Sequence, residues 1–286
     1  MLSQPLRSFV EKILSDRIVN FSPVSGGSIN YAFKLETSSR KYFLKFNDAK
    51  KYPGMFEAEA NGLSLLRKTN TLFIPEVIVC NETVQNSFLI LEWIETGKRK
   101  KSFWEDFGNQ LAQLHKNTTT NFGLDHYNYI GSLPQSNRQH PSWIEFFIEE
   151  RIRKQIKLAI DSGIISSSVV NQFEKLFLKL LDIFPEEKPA LLHGDLWSGN
   201  FIIAPDGSPA LIDPAVYYGH REMDLAMTKL FGGFDSSFYD SYHQAFPLAP
   251  GFETRAEIYN LYPLMVHVNL FGGGYVQQVK SILSRF

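Results

Sequence analysis

Apolar residues recur along the first third of the chain at spacings that predict a sheet flanked by helices. Residues 3–14 and 54–67 place their apolar positions on one helical stripe. Residues 41–47 alternate between an apolar and a more polar face, as a half-buried strand does. Residues 75–80 and 87–93 are short apolar runs that also favour strands. The pattern therefore predicts a mostly antiparallel sheet.

Strand-like patterning stops after residue 94, where a charged stretch at 95–101 indicates a hinge. Beyond it the apolar spacing becomes helical, and two short strands interrupt the helices late in the chain. The predicted helices cover residues 103–116, 143–160, 166–184 and 259–271, and the predicted strands cover residues 201–204 and 209–212. Residues 122–139 are predicted as a long loop that either borders a substrate cleft or lies on the surface. We expect two lobes, 1–94 and 95–286.

The two late strands carry oxygen-bearing side chains at one shared end. An Asp-Gly pair at 206–207 favours a tight hairpin turn between them. Asn200 enters the first strand and Asp213 leaves the second, so the hairpin brings an amide and a carboxylate together. Hard oxygen donors of this kind suit Mg²⁺, which takes few protein ligands and completes its shell with water and phosphates. Asp195 precedes Asn200 by five residues, the spacing of the catalytic-loop Asp and Asn of kinases.

Each of these residues alone would be explained by loop capping, and His193 alone by a satisfied core histidine. The ordered set of His-Gly-Asp, Asn and Asp favours catalysis. The segment that follows Asp213 leads into a helix whose first turn carries acidic residues, which suit a helix N-terminus. Capping is sufficient for Glu222 there, whereas Asp224 is a candidate to brace the Asp195 loop by accepting backbone hydrogen bonds.

An inward-facing glutamate predicts a partner for a lysine in the sheet. Glu59 lies on the apolar stripe of helix 54–67, and Glu57 lies on the polar face. Because a buried unpaired carboxylate is unfavourable, Glu59 needs a cation, and Lys45 is the natural candidate. In kinases such a pair holds the lysine against the phosphates of ATP. The alternative is a surface lysine beside a half-exposed glutamate.

A glycine pair lies between two strand-like segments near the N-terminus. Gly26 and Gly27, followed by Ser28, would let backbone N–H groups approach phosphate oxygens. A plain hairpin turn is the alternative, since the segment matches neither the Walker pattern nor the complete glycine loop of protein kinases.

Composition excludes several classes of protein. The chain has 286 residues and a formal net charge of −1 without a basic block, so nucleic-acid binding is not expected. No apolar run reaches the length of a membrane span, and the N-terminus does not resemble a signal peptide. Cys80 is the only cysteine and cannot form an internal disulfide. We therefore expect a cytoplasmic protein that binds neither nucleic acid nor membrane.

Four motifs carry more specific information: HGDLWSGN at 193–200, IDPA at 212–215, YGHREMDLA at 218–226 and NLFGGGY at 269–275. Together they closely resemble the fructosamine kinases, also called ketosamine-3-kinases, and the resemblance extends from residue 26 to residue 275. This family lies within the aminoglycoside phosphotransferase and choline kinase group of protein-kinase-like folds. The whole group shares His-Gly-Asp with an Asn five residues after the Asp, whereas the Trp-Ser-Gly insert and the Tyr-Gly-His-Arg-Glu-Met-Asp segment indicate the smaller family.

The resemblance implies a bilobal α+β fold of the protein-kinase-like type with ATP in the cleft. The hinge backbone around Glu92, Trp93 and Ile94 would contact adenine. It further implies that ATP phosphorylates the C3 hydroxyl of a 1-amino-1-deoxy-2-ketose, free or protein-bound, with Mg²⁺ held by Asn200 and Asp213. The product is prone to elimination, so the activity amounts to deglycation. Some relatives carry a cysteine where this chain has Ser28, so thiol regulation at that position is not expected.

Three further residues are candidates for substrate contact: Trp197, which would border the sugar or else lie in the core, and His220 and Glu222. Two other functions stay open at this point. One is a kinase for another hydroxyl compound, such as an aminoglycoside, choline or an amino acid. The other is a non-catalytic ATP-binding scaffold, which would usually lack catalytic or metal-binding residues; here all are present.

Overall fold

The computed structural model describes residues 4–24 and 29–286. In its N-terminal part, a five-stranded antiparallel sheet is accompanied by two helices. The elements are α1 (Gln4–Leu14), β1 (Ile18–Pro23), β2 (Tyr31–Thr37), β3 (Lys41–Asp48), α2 (Met55–Arg67), β4 (Val77–Glu82) and β5 (Asn86–Glu92). The strand order is β1-β2-β3-β5-β4, so β3 lies at the centre of the sheet.

Alternation along the strands sends neighbouring residues to opposite faces of the sheet. Phe88 and Ile90 of β5 pack with Leu6 of α1 on one face. Leu89 and Leu91 face the other way and join the large core that includes α2. That core continues into the rest of the chain, so the second face of the sheet and α2 connect the two halves.

The remainder of the chain is mostly helical, with three short strand pairs. Its elements are α3 (Phe103–His115), β6 (Asn128–Ile130), β7 (Leu133–Gln135), α4 (Trp143–Phe146), a π-helical segment (Phe147–Ile152), α5 (Arg153–Asp161), α6 (Ser167–Phe177), α7 (Leu180–Ile183), β8 (Ala190–Leu192), β9 (Phe201–Ile203), β10 (Pro209–Leu211), β11 (Tyr217–Gly219), α8 (Glu222–Leu230), α9 (Ser236–Ala245), α10 (Phe252–Tyr259), α11 (Leu261–Phe271) and α12 (Gly274–Leu283). Strands β9 and β10 form the predicted hairpin, while β8 pairs with β11.

Most predicted elements are present with ends shifted by a few residues, and three predictions need correction. The predicted helix 143–160 contains a π-helical segment, and the predicted helix 166–184 is two helices that break at 178–179. The predicted helix 259–271 joins the last residue of α10 to α11. Apolar spacing continues across such breaks, because it reports burial rather than backbone hydrogen bonding.

The long loop 122–139 contains a hairpin that the sequence analysis missed. Strands β6 and β7 are three residues each, too short to show an alternating pattern. Ile130 is buried in the apolar core, but the other two buried side chains are polar. The Gln135 amide donates to Asn128 at 2.8 Å, and the Asn128 amide donates to the Val216 carbonyl at 2.8 Å. Side-chain hydrogen bonds therefore hold this hairpin in place together with the burial of Ile130.

Within residues 4–24 and 29–286, no helix combines the length and the apolar character that crossing a bilayer requires.

Helix α3 lies against α9 at a very close approach. A Cβ built on Gly108 of α3 would lie 2.2 Å from the backbone oxygen of Phe238 in α9. Phe107 beside it is fully buried and contacts Phe238 at 5.3 Å between ring centroids. The absence of a side chain at 108 therefore sets the separation of the two helices.

We expect Gly108→Ala to lower the free energy of unfolding by about 1–3 kcal/mol, as overpacking of a core does. Gly274→Ala is the matched control, because a Cβ there meets no atom within 4 Å. Urea unfolding of both variants measures the difference. Equal stabilities would contradict the close packing of α3 on α9.

Candidate active site

A cleft of about 620 Å³ lies between the sheet and the helical part of the chain. Lys45 and Glu59 line it from the sheet side, and Asp195, Asn200 and Asp213 line it from the opposite side. The five residues come from four separate segments of the chain. The structure thus brings together the polar residues that the sequence analysis selected for phosphate, metal and catalysis.

The ammonium group of Lys45 is buried between two carboxylates. It donates to Glu59 Oε1 at 2.8 Å and to Asp213 Oδ1 at 2.5 Å. Burial disfavours the charged lysine, but the Asp213 and Glu59 carboxylates outweigh it and raise the pKa of Lys45. The predicted Lys45–Glu59 pair is present, and Glu57 is exposed as its position on the polar face predicts.

The β9–β10 hairpin places Asn200 and Asp213 side by side, as its turn predicts. Leu211 pairs with Phe201, and the Ile212 amide donates to the Asn200 carbonyl at 3.0 Å, so the pairing reaches the two functional residues. Asp213 adopts a left-handed backbone with φ 54°. Such a conformation is uncommon outside glycine and often marks a functional position.

Asp195 is held by the Asn200 side chain. The Asn200 amide nitrogen donates to Asp195 Oδ2 at 2.9 Å and to the Asp195 carbonyl at 2.8 Å. Burial raises the pKa of Asp195 to about 7, and the carboxylates of Asp213 and Asp224 add to the rise against the opposing Asn200 hydrogen bond. A carboxylate with a pKa near neutral pH is suited to accept a proton.

Asp224 braces the Asp195 loop from beneath, as proposed from the sequence. Its Oδ2 accepts from the His193 amide at 2.7 Å, and its Oδ1 accepts from the Gly194 amide at 2.9 Å. Gly194 has φ 84°, and a Cβ there would lie 2.0 Å from the Ala215 carbonyl oxygen. Only glycine fits this position, which explains the middle residue of His-Gly-Asp.

His193 is a satisfied core histidine that also connects the two halves of the site. Burial lowers the pKa of His193, so the ring is neutral. Its Nε2 donates to the Ile212 carbonyl at 2.9 Å, and its Nδ1 accepts from the Asp195 amide at 3.3 Å. The ring therefore fixes the Asp195 loop relative to the strand that leads to Asp213.

His115, the last residue of α3, is part of the same support. It lies 2% exposed, with Nε2 3.2 Å from Asp224 Oδ2 and Nδ1 2.8 Å from the Tyr242 hydroxyl. Its position at the end of an apolar helix gave no signal for this contact, because Asp224 is distant in sequence.

The donor set at the hairpin mouth fits Mg²⁺. One carboxylate, Asp213, and one amide oxygen, that of Asn200, are what this ion commonly takes from protein when phosphates supply other ligands. The Asn200 nitrogen is engaged by Asp195, which leaves the amide oxygen for a cation. In the part of the chain that the structure describes, no cluster of three or more His, Cys, Asp or Glu side chains forms a closed metal site.

The predicted adenine-binding segment borders the cleft at the end of the sheet. Glu92, Trp93 and Ile94 all line the cavity. The Glu92 amide donates to the Glu76 carbonyl at 2.9 Å, which fixes the end of β5. The glycine-pair prediction, with Gly26, Gly27 and Ser28, falls outside the described residues. Trp197 lines the cavity and is 38% exposed, so it is not a core residue.

His220 and Glu222 do not reach the cleft, contrary to the expectation of substrate contact. Both are 0% exposed. Glu222 accepts two hydrogen bonds from the Arg255 guanidinium, at 2.6 and 2.7 Å, and its backbone amide donates to His220 Nδ1 at 3.3 Å. Burial lowers the pKa of His220 to about 4, so its ring is neutral. The observed role of the two residues is to hold α8 against α10.

The β6–β7 hairpin forms part of the cleft wall, a role that the sequence did not indicate for any single residue. Asn128, Tyr129, Ile130 and Gly131 line the cavity. Tyr129 also donates its hydroxyl hydrogen to the Pro53 carbonyl at 3.0 Å, across the cleft to the segment before α2. Of the two alternatives for loop 122–139, the one that borders the cleft is correct.

We expect Glu222→Ala to lower the free energy of unfolding by about 3–5 kcal/mol, because it leaves the Arg255 guanidinium buried without its partner. Glu253→Ala is the matched control: its carboxylate pairs with Lys229 but is 77% exposed. We expect that control to cost less than about 1 kcal/mol. Chemical denaturation of both variants checks the result, and similar small losses would argue against a structural role for Glu222.

Comparison with known proteins shows which sequences this chain resembles. The family model described as fructosamine kinase matches residues 2–286. A Vibrio parahaemolyticus protein named probable ketoamine kinase is 41% identical over 266 residues, which cover 92% of this chain and 90% of that one. The chloroplastic protein-ribulosamine 3-kinase of Arabidopsis thaliana is 36% identical, covering 100% of this chain and 88% of that one.

Solved structures extend the comparison to the fold. A Thermobifida fusca protein, described as a candidate fructosamine-3-kinase, is 32% identical with a TM-score of 0.89, covering 98% of this chain and 97% of that one. An aminoglycoside phosphotransferase in complex with AMP-PNP and hygromycin B has a TM-score of 0.65 at 16% identity, covering 98% of each chain, and shows the shared protein-kinase-like fold. By sequence and structure, the chain belongs to the fructosamine kinase family.

Proposed function

We propose that this protein is a ketosamine 3-kinase that transfers the γ-phosphoryl group of ATP to the C3 hydroxyl of a fructosamine- or ribulosamine-type adduct. The observation that carries the proposal is the convergence of Asp195, Asn200 and Asp213 on one cleft, opposite the Lys45–Glu59 pair. Loss of the 3-phosphate by elimination would then free the amine, so the reaction serves deglycation.

In the proposed step, the C3 oxygen attacks the γ-phosphorus while the bond to the β–γ bridging oxygen breaks. Asp195 orients the hydroxyl and takes its proton, so no charge builds up on the attacking oxygen. The pKa of about 7 suits this role. Asn200 restrains the carboxylate through its amide nitrogen and leaves the other Asp195 oxygen for the substrate.

Phosphate binding is assigned to Lys45, whose position is set by Glu59. Asn200 and Asp213 are the proposed Mg²⁺ ligands. The bound ion would neutralise charge on the β- and γ-phosphates. Because Lys45 now pairs with Asp213, nucleotide phosphates would replace that contact while Glu59 keeps the lysine in place.

The remaining assignments follow the family resemblance. Glu92, Trp93 and Ile94 would present hinge backbone to adenine, and Gly26, Gly27 and Ser28 would cover the phosphates. Trp197 would border the sugar. The lobes are proposed to divide between residues 94 and 95. We propose a cytoplasmic location on the basis of the single cysteine, Cys80.

A substrate panel tests the proposal directly. ADP release is measured with ribulose-lysine, fructose-lysine, kanamycin and choline at equal concentration, and ³¹P NMR locates the new phosphate. We expect turnover with the ketosamines alone and phosphate on C3. Turnover with kanamycin or choline would assign the site to another hydroxyl substrate, and no turnover with any would indicate a binding protein.

We expect Asp195→Asn to reduce kcat by about 10²–10⁴ while leaving the Kd for ATP nearly unchanged, because only the proton acceptor is lost. Asp182→Asn, an exposed aspartate on α7, is the control. Steady-state kinetics and nucleotide titration give the two quantities. Wild-type turnover in Asp195→Asn would remove this residue from the chemistry.

We expect Glu59→Ala to raise the KM for ATP roughly ten- to hundredfold, the factor that corresponds to a charge-assisted hydrogen bond of about 1.5–3 kcal/mol. Glu57→Ala, two residues away on the exposed face, is expected to stay near wild type. Initial rates at varied ATP compare the two. The reverse order would mean that Glu57 is the residue that positions Lys45.

A further inference from the structure

Five aromatic rings run outward from the catalytic loop and form what we call the aromatic strip: Trp197, Phe231, His267, Phe271 and Tyr275. The ring centroids of Trp197 and Phe231 are 6.1 Å apart, and those of Phe231 and His267 are 5.2 Å apart. His267 in turn lies 5.5 Å from Phe271 and 4.9 Å from Tyr275. The strip therefore continues from a residue of the cleft to the outer surface.

The strip is open to solvent along its length. Trp197 is 38% exposed, Phe231 42% and Phe271 60%, while His267 and Tyr275 are half-buried. Large apolar side chains exposed next to one another, rather than singly, mark a binding surface. The strip begins two residues after Asp195 in sequence, so a ligand that it binds would continue from the reacting group.

The inner end of the strip is held firmly by close packing. A Cβ on Gly199 would lie 2.3 Å from the Trp197 ring, so the indole is in close contact with the backbone of the Asp195 loop. A Cβ on Gly233 would lie 2.8 Å from Ser198 Cβ, so the turn after Phe231 is pressed onto the same loop. The tryptophan and the phenylalanine ring are thus placed relative to Asp195 by neighbouring backbone.

The faces of these rings are free of the protein's own cations. Among the described residues, lysines and arginines lie over other rings, such as Lys34 over Trp93 and Lys229 over Tyr239, and none lies over a ring of the strip. Electron-rich ring faces attract a ligand cation, and they also pack against methylene groups.

We propose that the aromatic strip binds the amine-bearing part of a ketosamine, with the cationic nitrogen and the methylene chain of a glycated lysine lying along the rings. This inference rests on the proposed function. In such a substrate only three bonds separate C3 from the amine nitrogen, so a C3 hydroxyl at Asp195 brings the nitrogen close to Trp197. The attached chain then leaves the cleft along Phe231 and His267 towards Phe271.

The test compares two ribulosyl substrates that share the sugar and the charged nitrogen. One is attached to a lysine in a short capped peptide, and the other is attached to methylamine, which lacks the chain. In the full-length Phe271→Leu/Tyr275→Leu variant, we expect the ratio of kcat/KM for peptide over methylamine substrate to fall about five- to twentyfold. The Phe271→Tyr/Tyr275→Phe variant keeps both rings and is expected to keep the wild-type ratio.

Leu178→Ala is the control for an exposed apolar residue elsewhere, since Leu178 directly follows α6 and is 83% exposed. An unchanged ratio in the leucine variant, or a change of oligomeric state in gel filtration without a change of ratio, would overturn the inference. If the leucine variant keeps wild-type activity on both substrates with an unchanged ratio, only the role of the aromatic strip is refuted. If the wild-type enzyme has no activity on either substrate, the proposed function is refuted.

A second measurement keeps the inference testable if the leucine variant does not fold. Wild-type enzyme is inhibited with the unglycated peptide carrying N-methyllysine, or with the same peptide carrying norleucine. We expect competitive inhibition by the cationic peptide and at least severalfold weaker inhibition by the neutral one. Equal inhibition by the two would contradict binding of the cation by the rings.

Discussion

The ammonium group of Lys45 is the point on which the geometry of the cleft depends. It lies on the central strand of the sheet, and its two carboxylate partners come from α2 and from the end of the β9–β10 hairpin. A buried cation without partners would be strongly unfavourable, so the three elements must stay together for the charge to be tolerated. One side chain thus connects the sheet, α2 and the β9–β10 hairpin.

Around this contact, the structure keeps two kinds of carboxylate apart by their surroundings. Asp224 is buried, yet the His115 ring and two backbone amides stabilise its charge and lower its pKa. Asp195 receives a single side-chain hydrogen bond and has two carboxylates nearby, so its pKa rises instead. Two aspartates therefore differ through their surroundings: Asp224 supports the loop, and Asp195 has a pKa that suits the proposed proton transfer.

How much the sequence predicts depends on whether the partners are close along the chain. The hairpin with Asn200 and Asp213 was predictable because an Asp-Gly turn fixes its register, and the Glu59 contact because helical periodicity sets its face. The contacts of His115 and the position of the β6–β7 hairpin were not predictable, since their hydrogen bonds join segments about a hundred residues apart. His220 and Glu222 were selected because they lie in a family motif, but both side chains are buried and serve packing.

The hydrogen bonds between Asp224 and the Asp195 loop affect which substitutions the loop can accept. Asp224 holds the loop through main-chain amides of residues 193 and 194, and the loop's own side chains take no part in that contact. The exposed Trp197 side chain, between Asp195 and Asn200, can therefore be exchanged without loss of these main-chain contacts, whereas the neighbouring Leu196 is fully buried. Proteins with this arrangement can therefore change their ligand contacts by single substitutions, and the contacts that hold the Asp195 loop in place are kept.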